Sequence, residues 1–277
     1  ATVVNNCAAA LMLVLNTLAL HQRVPVSRGE LVEIGGSFRL PELMSRAGCE
    51  LIEVGTTNRT RLSDYNEVSA EAAMLLKVHP SNYHIEGFTE SVAAKELAEL
   101  AQQYDLPSCV DLGSGTLVDL TRFDLPAEPT PQQVLADGVD LITFSGDKLL
   151  GGVQAGIIVG KRELIERIRK NPMKRALRAD KITLAVLEAT LKRYEDPDTL
   201  HKNIPRRRIM TRPVAELEQT ARKLIDALSA SYSCNVENSQ AQIGSGALPD
   251  RTLPSLALTI SHPEFSAEDI SNNLRAL

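Results

Sequence analysis

The sequence contains no tryptophan, few aromatic residues and no apolar run long enough to cross a membrane. Phe, Trp and Tyr together make up 4% of its 277 residues. A membrane-spanning helix needs about 20 consecutive apolar residues. Residues 8–20 come nearest, but Asn16 and Thr17 interrupt them, and the stretch lacks the basic leader of a secretion signal. These absences predict a soluble globular protein with no membrane partner.

The cysteines provide neither a disulfide framework nor a zinc site. No Cys-x-x-Cys occurs, and few histidines lie near the four cysteines, which are Cys7, Cys49, Cys109 and Cys234. Disulfide-rich secreted domains and zinc modules show close, regular cysteine spacing. We therefore expect no metal and a cytoplasmic location.

Two common catalytic loops are also missing. Residues 113–118 begin like a dinucleotide-binding fingerprint, but Val118 stands where the third glycine belongs. No phosphate-binding Gly-Lys-Ser/Thr loop occurs anywhere in the chain. A nucleophilic serine elbow, Gly-x-Ser-x-Gly, is absent as well. Nucleotide binding through these loops and serine hydrolase chemistry are thereby excluded.

Charge is distributed unevenly. The net charge is −5, yet residues 161–212 hold 16 Lys and Arg against 7 Asp and Glu, a balance of +9 that leaves −14 elsewhere. A basic segment on an acidic body indicates a local anionic ligand. Solvated helix faces are the alternative for many of the individual residues.

Short apolar runs alternate with amphipathic stretches over the first 200 residues. Strands are predicted at residues 24–27, 50–54, 73–78, 107–110, 141–144 and 156–159, and helices at 41–47, 67–73 and 91–104. A further helix follows Asn5-Asn6, either of which can cap it. This alternation predicts an α/β fold, with a mostly parallel sheet flanked by helices and ligands at the carboxyl ends of the strands.

One long helix is predicted from Asn171-Pro172 to about Tyr194, because Asn at the cap and Pro at the first position start helices. Arg175 and Arg178 would then project from one face near its positive end. Further on, a helix at residues 214–230, a strand at 255–260 and a helix from 266 to the last residue are expected. We predict a large domain over 1–200 and a small α+β domain over 201–277.

Lys148 is the candidate nucleophile. It follows an apolar run and precedes a glycine-rich turn, Gly151-Gly152, and a second apolar run. A lysine between apolar strands loses solvation, which makes its neutral amine accessible. A held neutral amine forms Schiff bases with carbonyl cofactors. An ordinary surface lysine in a turn is the alternative.

A pyridoxal 5′-phosphate site needs such a lysine, an acid for the pyridine nitrogen and donors for the phosphate. Asp111 ends a predicted strand and can serve as the acid, unless it only forms a turn. For the phosphate we predict Ser145 and the helix start, which comprises Asn6, Cys7 and Ala8. Either His79 or Asn82 can meet the cofactor ring or its O3′.

Several blocks resemble the bacterial selenocysteine synthase family (L-seryl-tRNA(Sec) selenium transferase). They run collinearly across essentially the whole chain at residues 27–36, 53–60, 77–79, 111–115, 145–156 and 175–181. The block around the lysine reads Ser-Gly-Asp-Lys-Leu-Leu-Gly-Gly. The resemblance implies a pyridoxal-phosphate-dependent transferase fold of fold type I with an incomplete small domain. It departs from the family at Val153, where proline is usual.

What the resemblance implies about activity is specific. Seryl-tRNA(Sec) would displace Lys148 from the cofactor aldimine, Lys148 would take the Cα proton, and loss of water would give an aminoacrylyl intermediate. Selenium from selenophosphate would add to it, with Arg175 and Arg178 binding that donor and Asp147 assisting proton transfer. The family also implies a cytoplasmic homo-oligomer, a ring of dimers.

The chain starts without methionine and stops inside a predicted helix, so we expect a fragment that lacks the family's amino-terminal region and the end of the small domain. Two alternatives stay open. One is a related lyase that acts on a small phosphorylated amino acid. The other is an inactive truncated remnant.

Overall fold

The computed structural model describes residues 1–35, 38–228, 230–244, 248 and 251–276. Three residues of these predictions lie outside the described residues: Gly36 of the block 27–36, Ser229 of the predicted helix 214–230, and Leu277. Two compact units are formed, Ala1–Arg208 with Gly244–Asp250 and Ile209–Ile243 with Arg251–Leu277. The predicted division after residue 200 stays a prediction about domains.

Eleven strands and twelve helices occur among the described residues. The strands are β1 Thr2–Val4, β2 Arg23–Ser27, β3 Glu33–Ile34, β4 Phe38–Arg39, β5 Glu50–Val54, β6 Leu75–Val78, β7 Ser108–Gly113, β8 Leu141–Ser145, β9 Gly156–Gly160, β10 Ser233–Gln242 and β11 Thr252–Ser261. The helices are α1 Cys7–Leu18, α2 Leu40–Ala47, α3 Leu62–Ser69, α4 Ala94–Gln103, α5 Pro131–Ala136, α6 Arg162–Lys170, α7 Met173–Ala176, α8 Lys181–Arg193, α9 Leu200–Asn203, α10 Pro205–Met210, α11 Val214–Leu228 and α12 Ala267–Arg275.

The central sheet of the first unit has the strand order β1-β9-β8-β7-β6. Strands β6, β7 and β8 are parallel, while β9 runs antiparallel to β8 and β1 antiparallel to β9. In register, Asp111 of β7 lies opposite Val78 of β6 and Thr143 of β8. The prediction of a mostly parallel sheet flanked by helices is confirmed, and its carboxyl-end edge carries Asp111.

Helix α1 forms the centre of the main core. Its leucines Leu11, Leu13 and Leu15 are fully buried, and it packs on β8, β9 and α2. Burying one leucine side chain contributes about 1.5–3 kcal/mol. Asn6 caps the helix, as predicted, by accepting a hydrogen bond from Ala9 N at 2.8 Å. The start of this helix is therefore held firmly beside the sheet.

Smaller elements complete the two units. In the first unit, β2 pairs in parallel with β5, and β3 and β4 form a short hairpin. In the second unit, β10 and β11 form an antiparallel pair on which α11 packs. No helix in the described part of the chain is long and apolar enough to span a membrane.

The predicted long helix from residue 171 to 194 is wrong. The chain forms the short α7, leaves the helical conformation, and starts again as α8. The Asp180 side chain accepts from Thr183 N at 2.9 Å and caps the new helix, while the Leu177 carbonyl accepts from Asn5 N at 3.0 Å. A tertiary hydrogen bond and a second cap thus end the first helix early.

Two other predicted boundaries also need correction. The helix expected at residues 67–73 lies earlier, as α3, because the Asp64 carboxylate accepts from Arg61 N at 2.8 Å and starts it there. The strand expected at 107–110 continues to Gly113 as β7. Asp111 is therefore a strand residue and takes part in the sheet register.

Candidate active site

The two carboxylate oxygens of Asp111 differ in their hydrogen bonding. Its Oδ1 accepts hydrogen bonds from Thr143 Oγ1 at 2.8 Å, Gly113 N at 3.3 Å and Cys7 Sγ at 3.4 Å. Oδ2 has no hydrogen-bond partner among the described residues. Burial raises the pKa of Asp111, while these donors and the charge of Lys148 oppose the shift. The carboxylate is thus oriented by the protein and retains a free acceptor.

Lys148 follows β8 and is half-buried. Its neighbour across the strand ends is Gly113, where φ is +62° and a Cβ would lie 4.0 Å from Lys148 Nζ. The same Cβ would lie 2.9 Å from Ser81 Oγ. Within the described part of the chain, Nζ forms no hydrogen bond or ion pair. The amine therefore lies near the strand that carries Asp111, with no hydrogen bond or ion pair to a described residue.

The start of α1 meets this edge of the sheet. Gly156 of β9 makes the approach possible, because a Cβ there would lie 2.0 Å from the Asn6 carbonyl oxygen. Gly156 pairs with Ser145 of β8. The cap at Asn6 satisfies Ala9 N, whereas the N–H groups of Cys7 and Ala8 have no hydrogen-bond acceptor in the described residues. The structure thus brings the three helix-start residues beside Asp111 and Ser145.

Ser145 and Asp147 interact with each other. The buried Ser145 hydroxyl donates to Asp147 Oδ1. The Asp147 side chain is exposed and directly precedes Lys148 in the chain. Ser145 therefore orients this carboxylate, in addition to lying beside the helix start.

His79 directly follows β6, the strand that pairs with β7 on the side away from β8. Its backbone N–H donates to the Asp111 carbonyl oxygen at 2.8 Å, and its Nε2 lies 3.1 Å from Glu128 Oε2. Asn82 is placed differently, since its Nδ2 donates to the Glu33 carbonyl oxygen at 3.0 Å. No hydrogen bond between described residues joins Asn82 to Lys148 or Asp111.

Arg175 and Arg178 do not share a face of one helix, which corrects the prediction. Arg175 lies in α7 and Arg178 lies beyond its end, and both are exposed. Leu177 lies between the two arginines in the chain. Its carbonyl oxygen accepts a hydrogen bond from Asn5 N, which joins this segment to the residues before α1. Neither side chain hydrogen-bonds a described residue of the Lys148 or Asp111 strands.

Sequence reasoning missed several polar residues here. Thr143 is the one hydroxyl inside the apolar β8 run before Ser145, a signal that could have been noticed. Glu128 lies in the proline-rich stretch 121–131 and is buried. Glu30 is also buried, and it accepts from Val78 N at 2.9 Å and Lys77 Nζ at 2.5 Å.

A cleft of about 400 Å³ opens on the His79 side of the sheet edge. The polar and charged residues of its lining include Glu30, Arg59, Lys77, His79 and Tyr83. No group of three or more potential metal ligands occurs among the residues that the structure describes. The cleft thus offers hydrogen-bonding groups of both charges beside the strand that carries Asp111.

The arrangement fits pyridoxal 5′-phosphate. An unpartnered amine suits its aldehyde, the open Asp111 oxygen suits a protonated ring nitrogen, and unsatisfied N–H groups at a helix start suit a phosphate. These groups come from α1, β7 and the turn after β8. Their convergence at one edge is what a strand-end ligand site requires.

Comparison with known proteins identifies close relatives. The sequence profile of the L-seryl-tRNA selenium transferase family matches residues 1–277. The L-seryl-tRNA(Sec) selenium transferase of Yersinia enterocolitica is 55% identical over 271 residues, which is 96% of this chain and 59% of that protein. The corresponding protein of Yersinia pestis strain Pestoides F is 56% identical over 266 residues, 94% of this chain and 58% of its own length. The chain therefore spans under two thirds of these curated relatives.

Solved structures share the fold. D-glucosaminate-6-phosphate ammonia-lyase superposes with a TM-score of 0.66 at 18% identity, covering 99% of this chain and 70% of that one. A Thermus thermophilus aspartate aminotransferase mutant superposes with a TM-score of 0.52 at 17% identity. The match covers 84% of this chain and 63% of the aminotransferase chain. The fold is that of the fold-type-I pyridoxal-phosphate-dependent enzymes.

Proposed function

This chain belongs to the L-seryl-tRNA selenium transferase family, and from that premise we propose that the protein converts L-seryl-tRNA(Sec) to L-selenocysteinyl-tRNA(Sec). Selenophosphate is the selenium donor and pyridoxal 5′-phosphate the cofactor. The observation that carries the proposal is that the Lys148 amine and Asp111 Oδ2, neither of which has a hydrogen-bond partner among the described residues, belong to neighbouring segments at one edge of the sheet. The relatives above 50% identity carry the name of this activity.

The residues that would hold the cofactor come from the start of α1, from β7 and β8, and from the segments that follow β6 and β8. Lys148 would bind it covalently and Asp111 Oδ2 would accept from its ring nitrogen. The N–H groups of Cys7 and Ala8, behind the Asn6 cap, would donate to its phosphate, with Ser145 nearby. His79 or Asn82 would meet the cofactor ring or its O3′. When bound, the cofactor supplies a protonated conjugated ring that withdraws electrons from bonds at the substrate Cα.

Asp111 serves the reaction by keeping its charge. Burial raises its pKa, so an isolated carboxyl here would lose part of its ionised form. The three donors on Oδ1 oppose that loss, as a cationic ring nitrogen at Oδ2 would do further. A preorganised carboxylate of this kind stabilises developing charge without reorganisation, which is worth about 3 kcal/mol for one such group in other enzymes.

Lys148 and Asp147 would handle protons. With seryl-tRNA bound in the site, the Lys148 amine would take the proton from Cα of the seryl group. The hydroxyl would then leave from Cβ as water with the proton that Lys148 has taken up, and the exposed Asp147 carboxylate, oriented by Ser145, would assist this proton transfer. Both groups adjoin in the chain, so one turn serves both steps.

Arg175 and Arg178 would bind the selenium donor. Both side chains are exposed in the basic segment 161–212, and Leu177 ties their backbone to Asn5 beside the α1 start. Two guanidinium groups suit a phosphate-like dianion. The full protein is proposed to act in the cytoplasm as a homo-oligomer.

The proposal is tested by supplying the full-length protein with cofactor, seryl-tRNA(Sec) and selenophosphate, and analysing the aminoacyl group by mass spectrometry. Selenocysteinyl-tRNA should form, and the Lys148→Ala variant should form none. Uptake of cofactor without any reaction of seryl-tRNA would favour the lyase alternative. Failure of the full-length protein to take up cofactor would favour an inactive protein.

A further inference from the structure

The backbone on both sides of Lys148 is held by two adjacent arginines. Arg206 Nη1 donates to the Asp147 carbonyl oxygen at 3.4 Å, and Arg207 Nη2 donates to the Leu149 carbonyl oxygen at 3.4 Å. Both arginines belong to α10, and the two carbonyls flank Lys148 in the chain. One short helix thus contacts the lysine turn immediately before and after the reactive residue.

The same stretch of chain contacts the next two residues of the turn. The Tyr194 hydroxyl donates to the Leu150 carbonyl oxygen at 2.6 Å. Gly151 has φ +74°, and a Cβ there would lie 2.5 Å from Ile204 Cγ2. The segment 194–207 therefore contacts residues 147, 149, 150 and 151. Within this turn, the Lys148 amine has no hydrogen bond to the described residues.

Arg207 is itself rigidly placed. It is 2% exposed, its guanidinium lies 5.3 Å from the Phe123 ring centroid, and Nη2 is 3.5 Å from Thr116 Oγ1. A planar guanidinium between an aromatic ring and two oxygens has few orientations left. The guanidinium can therefore hold the Leu149 carbonyl in one position.

We propose that Tyr194, Arg206 and Arg207 are positioning residues for Lys148. By holding the carbonyls of residues 147, 149 and 150, they keep the turn in the one conformation that aims the amine at the Asp111 strand. None of the three needs to touch cofactor or substrate. This inference rests on the proposed function, in which Lys148 binds the cofactor covalently. Misplacing a reacting group by about 1 Å can slow its reaction about 100-fold.

The test uses Tyr194→Phe and Arg206→Met, singly and combined, in the full-length protein. Each removes a donor and keeps the ring or the aliphatic stem, while the buried Arg207 is left in place. Arg208→Met is the matched control, because it removes the same charge from an exposed position of α10. Borohydride added at timed intervals after pyridoxal phosphate, followed by peptide mass spectrometry, gives the rate of attachment at Lys148.

We expect the combined variant to attach cofactor at Lys148 at least about tenfold more slowly than the wild type, and Arg208→Met to match the wild type. Arg206→Lys should recover part of the rate, since it restores a cationic donor. Noncovalent cofactor affinity, measured in a Lys148→Ala background, should stay unchanged. That affinity separates positioning from general damage to the fold.

The outcomes are distinguishable. If the wild type is labelled at Lys148 and the combined variant at the same rate, the positioning role is wrong while the proposed function stands. A parallel loss of attachment rate, noncovalent affinity and melting temperature would show a merely structural role and also overturn the inference. Wild-type label at a lysine other than Lys148 would overturn both proposals.

Discussion

The Cys7 thiol donates to Asp111 Oδ1 at 3.4 Å and so joins the first residue of α1 to strand β7. Burial raises the pKa of the Cys7 thiol well above its ordinary value, and the charge and hydrogen bond of Asp111 raise it further. Because only the thiolate is a strong nucleophile, this cysteine should be unreactive at neutral pH. The pairing also orients the carboxylate that the proposed reaction needs.

Replacing Asp111 by Asn should make Cys7 more reactive toward iodoacetamide. The substitution removes the charge and the anionic acceptor that raise its pKa, although burial remains. Peptide mass spectrometry of timed alkylation measures the rate, which should climb about tenfold per pH unit because the pKa lies above the range tested. Cys49 is the control, since burial raises its pKa to about 11 and Asp111 takes no part. Equal Cys7 rates in both proteins would contradict the pairing.

Borohydride should fix pyridoxal phosphate on the peptide that contains Lys148. The amine is half-buried and has no hydrogen bond to the described residues, whereas Lys77 pairs with Glu30 and Lys161 with Asp140. Peptide mapping after reduction is the measurement, with the Lys148→Ala variant as control. Label on Lys77 or Lys161 in the wild type would exclude the assignment.

The Asp111→Asn variant should still bind cofactor covalently but dehydrate seryl-tRNA far more slowly. A neutral amide cannot hold the ring nitrogen protonated, and we expect a barrier higher by about 3 kcal/mol, or a rate lower by about 100-fold. Single-turnover dehydration measures it. Thr143→Val, which removes one donor at 2.8 Å, should have a smaller effect. Normal turnover by the Asn variant would show that Asp111 has only a structural role in β7.

The double variant Arg175→Ala, Arg178→Ala should separate the two halves of the reaction. Dehydration of the seryl group should survive better than selenium transfer, because the arginines are proposed to bind only the donor dianion. Selenophosphate concentration dependence is the measurement. Arg162→Ala, Arg169→Ala removes the same charge from exposed positions of α6 and serves as control. An unchanged selenophosphate dependence would argue against the role.

Glu30→Gln should destabilise the fold by about 3 kcal/mol, because it leaves the Lys77 ammonium without its buried counter-charge. Glu30 also holds Val78 N, the residue opposite Asp111. Urea unfolding measures the change. Glu53→Gln breaks the exposed pair with Arg28 and should change stability by less than about 0.5 kcal/mol. If Glu30→Gln lowered the stability as little as Glu53→Gln, this would show that water reaches the Lys77–Glu30 pair.

Local patterns were sufficient where a short stretch decides its own structure. The cap at Asn6, the strand at residues 50–54 and the apolar run before Lys148 were all predictable, because capping oxygens and apolar spacing act within a few residues. The same rules failed at residues 171–194. There, a hydrogen bond from Asn5 to Leu177, far away in sequence, ends a helix that the local signals would continue.

The family, the α/β order of elements and the candidates Lys148 and Asp111 could all be predicted from the sequence, because these depend on motifs and on strand ends. The groups that surround these two residues depend on the three-dimensional packing of the chain. Cys7 reaches Asp111 across 104 residues of chain, and Arg206 reaches Asp147 across 59. Such contacts depend on the strand order and on how α1 and α10 pack. Burial then sets the pKa direction of each group, and no local pattern encodes it.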